Sequence, residues 1–238
     1  MIDIHPPHHA ANTWRDFFVH IATIVLGLLI AVALEQTVEY VHHRHQLRDL
    51  REQMHDVLEK NRDSTPYNME IAARVRASLQ SIQARIAAGS AQPAPPATIP
   101  AVDLFPRVPS IAPYEAAKEN GTVALLTSEE IRIYNRLALQ RDFLLLNVRE
   151  LNESFRDLDS FEERFVDSPG NRVFAGVRPN LDTAKLSSTE REQYAILVAN
   201  VIKRLDILCE RIDLFDREGR AVLNGVRDEG ELLRTSSR

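Results

Sequence analysis

The sequence predicts an all-α protein: one N-terminal transmembrane helix continuing into a soluble antiparallel helical bundle. Three observations predict it. Phe17 to Leu34 is a run of 18 residues without a full charge. Elsewhere, apolar residues recur every three or four positions, the period of a buried helix stripe. No segment alternates apolar and polar residues between turn signals, as a half-buried strand does. The chain has 238 residues but only 8 glycines, and 7 of its 12 prolines lie between Pro93 and Pro113. Long helices with one local irregular insert fit that distribution.

A short tail, 1–16, precedes the apolar run 17–34. At about 1.5 Å per residue the run spans about 27 Å, close to the hydrocarbon core of a bilayer. Only His20 and Thr23 are polar within it, and Trp14 and Tyr40 flank it where interfacial aromatics are expected. A cleaved signal peptide would carry a more basic start, a shorter apolar run and a small-residue cleavage site. A buried helix of a small soluble domain would carry a polar face, and this run is apolar all round. Thr23, Gly27 and Ala31 lie four residues apart, a small-residue stripe through which two such helices can pack into a homo-oligomer. Counting arginines on the two flanks (Arg15 against Arg44, Arg48 and Arg51) keeps the larger part of the chain in the cytoplasm.

From Thr13 to Lys60 there is no proline and one glycine, so the anchor extends as one helix carrying the stripe Leu47, Leu50, Met54 and Val57. Thr65-Pro66 reads as a break and restart, with Thr65 as N-cap and Pro66 at the first helical position. The region 35–88 is therefore expected to be a helical hairpin, its second arm facing inward through Ile71, Val75, Leu79, Ile82 and Ile86. Residues 89–113 form a proline-rich connection that admits no regular element, parts of which pack through Leu104, Phe105, Val108 and Ile111. A bundle is expected over 114–218. Its parts are a short helix at Ala116 to Asn120 and a helix opened by the capping box Thr127/Glu130 and running to about Val166. A loop at 168–188 leads to a last helix opened by the box Ser187/Glu190. The stripe of the first long helix is Leu144, Val148, Leu151, Phe155, Leu158 and Phe165, interrupted at Glu162. The last helix carries Tyr194, Val198, Val201, Leu205, Leu208, Ile212 and Phe215, three heptads that serve the chain's own core in preference to a dimer seam. Gly219, Gly225 and Gly230 break up 219–238, read as a fraying tail.

Little in the chain points to chemistry. The net charge of −5 speaks against a nucleic-acid partner. The single cysteine, Cys209, excludes an internal disulfide and a cysteine-rich zinc site, and its place beside Leu208 makes it a buried structural thiol. His42, His43 and His45 lie just beyond the anchor, and His42 and His45 share a helix face. They are weak metal candidates, because no acidic third ligand stands at their spacing; a solvated cluster facing lipid headgroups is the preferred reading. Asp157, Asp159, Glu162 and Glu163 read as a solvated helix face rather than as acid–base carboxylates. No phosphate loop, nucleophile elbow or paired-histidine zinc motif is present. Neither a catalytic residue nor a cofactor is expected.

The stretch IVLGLLIAVALEQ (Ile24 to Gln36) and the stretch YEAAKENGTVALLTSEEIRIY (Tyr114 to Tyr134) resemble a family of uncharacterised bacterial single-pass membrane proteins with a GLLIA-type anchor and a helical domain. The resemblance implies a bacterial inner-membrane protein. Family members with more basic tails are expected to hold the domain in the periplasm, opposite to the arginine count here, so the side of the domain stays open. The resulting expectation is a non-enzymatic, membrane-anchored interaction or assembly module. Its partners would be the lipid bilayer, a second copy through the anchor and an unidentified protein. A membrane-tethered sensory bundle is the alternative, and a metal-dependent enzyme is third.

Overall fold

The structure is a computed structural model, and it describes residues 14–88, 107–165, 181 and 183–236. Among these every regular element is helical. The chain divides into two compact units, Met1–Asp49 and Leu50–Arg238. The predicted contacts of Leu104 and Phe105, and most of the 168–188 loop, lie outside the described residues.

Helix α1 spans Trp14–Ala88. Its residues from Leu50 onward, α2 (Ala112–Glu119), α3 (Ser128–Glu162), α4 (Ser188–Leu223) and α5 (Glu229–Ser236) make up the second unit. Both capping boxes are present: Thr127 and Ser187 each accept from a backbone N–H three residues on, and the Glu there reaches back. They satisfy N–H groups that the first turn of a helix otherwise leaves unpaired. Gly121 ends α2 with φ +81°, a conformation open to glycine.

The core follows the predicted stripes in part: Leu47, Val57, Val148, Phe155 and Phe165 stay half-buried, while Leu58, Ile133, Tyr134 and Leu137, outside those stripes, are buried. Ile71, Val75, Leu79, Ile82 and Ile86 of α1 are buried, as are all seven heptad residues of α4 and Leu144, Leu151 and Leu158 of α3. The heptads thus serve the chain's own core. Cross-helix contacts set the directions. Arg136–Glu218, Glu150–Arg204 and Glu162–Tyr194 run α3 antiparallel to α4. Thr65–Asp216 and Arg76–Asp206 run α1 antiparallel to α4. Arg51–Glu130 joins α1 to the start of α3, so those two are parallel.

Three expectations need correction. The region 35–88 is not a hairpin, because α1 passes through Pro66 without reversing. Proline removes one helical hydrogen bond and crowds the preceding turn, but packing holds the helix on both sides. Leu58 and Ile71 are both buried, and two asparagines flank the proline. Asn61 donates to Ser110 O and accepts from Ser110 N (2.7 and 2.9 Å). Asn68 does the same with Arg107 (3.0 and 2.8 Å). Each side-chain amide pairs with a backbone amide as a neighbouring strand would. Together they bind 107–110 along α1. Thr65, expected as an N-cap, instead donates to Asp216 Oδ1.

Second, the described part of 219–238, residues 219–236, is not a fraying tail. Helix α4 continues to Leu223, and α5 packs on α3 and α4 with Leu232 fully buried. Gly219 is an interior residue of α4 where Leu58 comes close. Third, the carboxylates 157–163 are not all solvated. Asp157 and Glu163 are exposed, but Glu162 is buried and accepts from Tyr194 Oη at 2.7 Å. It sits at the stripe position that interrupted the apolar spacing, so burial follows from register, and the phenol satisfies it.

Candidate functional site

The feature that most needs a partner is the surface of α1 in the first unit. Apolar side chains normally leave water on folding, each contributing about 1.5–3 kcal/mol. Here none does: Ile24, Leu26, Leu28, Leu29 and Leu34 are each about 60% exposed, and the rest of the run is open as well. Val38, Tyr40 and Val41 carry exposed apolar surface beyond Leu34, where the sequence reading ended the run. Among the described residues this is the one helix long and apolar enough to cross a membrane.

The polar groups in this stretch suit an apolar surrounding. Thr23 Oγ1 donates to Val19 O (2.9 Å), and Thr37 Oγ1 to Ala33 O (2.7 Å). Hydroxyls bonded one turn back leave no unpaired donor, which a hydrocarbon environment would penalise. At one end Trp14, Phe17 and Phe18 form an aromatic group with ring centroids 5.8–5.9 Å apart. Tyr40 stands exposed at the other end. The 26 helical steps from Trp14 to Tyr40 span about 39 Å, near the thickness of a bilayer with its interfaces.

Thr23, Gly27 and Ala31 are exposed along one stripe, and a Cβ built on Gly27 meets nothing within 4 Å. Among the described residues no neighbour crowds Gly27. The structure does not assemble a metal site from the predicted histidines. His42 bonds Gln46 (3.0 Å), His43 lies 3.9 Å from Glu39, and His45 is exposed. Among the described residues no three His, Cys, Asp or Glu side chains form a metal-holding group.

In the second unit Cys209 is half-buried, and burial pushes its thiol above the ordinary range. It lines a narrow crevice of about 20 Å³ with Ile71, Val75, Leu151, Phe155 and Leu208. The sequence reading missed this crevice, since no spacing rule tells where three helix stripes fail to meet.

No protein-family model, curated protein or solved structure matches this chain.

Proposed function

We propose that this chain is a membrane-anchored helical interaction or assembly module, non-enzymatic, held in a bacterial inner membrane by a single pass of α1. One observation carries the reading: the apolar surface from Phe17 to Leu34 is exposed throughout, in a helix whose residues from Leu50 onward belong to a well-packed core. Water would penalise that surface heavily and lipid would not. The aromatic ends and the inwardly bonded threonines add support. The absence of catalytic motifs in the sequence supports the non-enzymatic part, and the likeness of Ile24–Gln36 and Tyr114–Tyr134 to bacterial membrane proteins supports the location. Thr23, Gly27 and Ala31 are the contact through which a second copy would associate.

Alkaline carbonate extraction tests the anchor: the full chain stays in the membrane pellet, whereas release into the supernatant refutes anchoring. Protease treatment of a C-terminal tag then assigns the side. Digestion in intact spheroplasts means a periplasmic bundle, and protection until lysis a cytoplasmic one.

A second reading, a tethered sensory bundle acting through a partner, draws on the crevice beside Cys209. Thermal-shift screening of the purified chain with small apolar molecules tests it, and a screen without a shift removes its support.

A further inference from the structure

Directly after the exposed apolar stretch come His42, His43, Arg44, His45 and Arg48, with no acidic residue among positions 42 to 48. Successive residues of an α-helix lie about 100° apart. Positions 42 to 45 therefore distribute their side chains around the whole circumference and form a collar. Arg44, His45 and Arg48 are exposed, and His43 keeps 43% of its side-chain surface. A protein partner docks on one face of a helix, whereas a layer of headgroups surrounds it. The collar has the symmetry of the layer.

Its height fits as well. Tyr40 marks the interface. Arg44 lies about 6 Å beyond it and Arg48 about 12 Å. Side chains on a helix lean toward its N-terminus, here back toward the apolar stretch. Arginine binds phosphate with a planar fork of donors, and imidazole N–H groups add further donors. Glu39 approaches His43 at 3.9 Å from the apolar side and Asp49 approaches Arg48 at 3.8 Å from the far side, so the acidic groups flank the collar and the layer from 42 to 48 itself holds only cationic and imidazole groups among its titratable side chains.

We propose that His42, His43, Arg44, His45 and Arg48 form a collar that binds the anionic phospholipid headgroups of the leaflet next to them. The inference rests on α1 being a membrane anchor.

The test uses the full-length chain in phosphatidylcholine nanodiscs carrying a trace of spin-labelled phosphatidylglycerol or spin-labelled phosphatidylcholine. Electron spin resonance reads the share of label immobilised on the protein. The expected result is about a three- to tenfold preference for the anionic label at low salt, since each surface cation contributes on the order of 1 kcal/mol to anionic-lipid attraction. The preference collapses in the double variant Arg44→Gln/Arg48→Gln, and it fades near about 1 M salt, where the screening length is about 3 Å. It persists in Arg74→Gln, an exposed arginine of the second unit. Equal association of both labels with the wild-type chain overturns the proposal. So does a preference that survives the double variant or falls equally in Arg74→Gln. A chain that never enters nanodiscs refutes the anchor itself; one that enters without a preference refutes only the collar.

Discussion

Glu130 does two jobs. Its carboxylate closes the capping box of α3 and takes two hydrogen bonds from Arg51, at 2.7 and 3.0 Å. Burial pushes its pKa up, but the bonds from Arg51 and Thr127 outweigh burial and hold it below the ordinary value. A carboxyl lowered by folding stabilises the fold above its unfolded pKa, near 4.5, and that contribution is lost as pH falls through the lower folded value. We therefore expect Glu130→Gln to cost about 1 kcal/mol at pH 7, Arg51 being half-exposed and partly screened. The variant's deficit should shrink toward pH 3, and urea midpoints across that range check this. At Gly219 a built Cβ meets Leu58 at 3.6 Å, an ordinary contact. Gly219→Ala should thus stabilise by about 0.5–1 kcal/mol through helix propensity. Gly219→Leu should destabilise by about 1–3 kcal/mol through overpacking. Opposite shifts in thermal midpoint are the expected readout. A loss of stability in the alanine variant would mean that the contact is tighter than described.

At the scale of elements, the capping boxes and heptads were legible because each is a local pattern with one structural meaning. Pro66 was not. The dipeptide Thr65-Pro66 carries the same local signal whether a helix restarts or bends. The choice was made by Asn61 and Asn68, one on each side, holding residues 107–110 to the same helix. Their pairing distances in sequence, 49 and 39 residues, lie beyond any periodicity argument. Asn68 is buried, so Asn68→Ala would leave the backbone N–H and C=O of Arg107 without these partners. The expected cost is about 2–3 kcal/mol, read by chemical denaturation. Amide exchange should also speed up at Arg107, and unchanged protection there would show that the clamp contributes little.

At the scale of the whole molecule, an exposed apolar helix must be explained by what surrounds it. If lipid does, one charge at its centre is costly: Leu28→Arg adds about 2.5–3.5 kcal/mol to insertion on translocon scales. The carbonate-resistant fraction should fall sharply, while Leu233→Arg, at an exposed position of α5, should leave it unchanged. Equal retention of both variants would mean that the apolar stretch does not hold the chain in the membrane. The small-residue stripe makes a separate prediction. Gly27→Ile should weaken self-association in detergent without altering membrane retention, since no described residue of the chain lies within 4 Å of a Cβ built on that glycine.

The sequence by itself determined the helical class, the apolar run, both capped helix starts and the core stripes of α4 and of α1 beyond Pro66, because hydrophobic periodicity and capping are set by residues a few positions apart; it did not single out Leu58, Ile133, Tyr134, Leu137 or Leu232. Only the tertiary structure decided that α1 runs through Pro66, that Glu162 is buried against Tyr194, and that Glu229–Ser236 returns as α5 onto α3 and α4. In each case the local signal allowed two outcomes. The deciding energy came from partners far away in sequence, where a proline, a carboxylate or a glycine met packing and hydrogen bonds that made its cost affordable in only one of them.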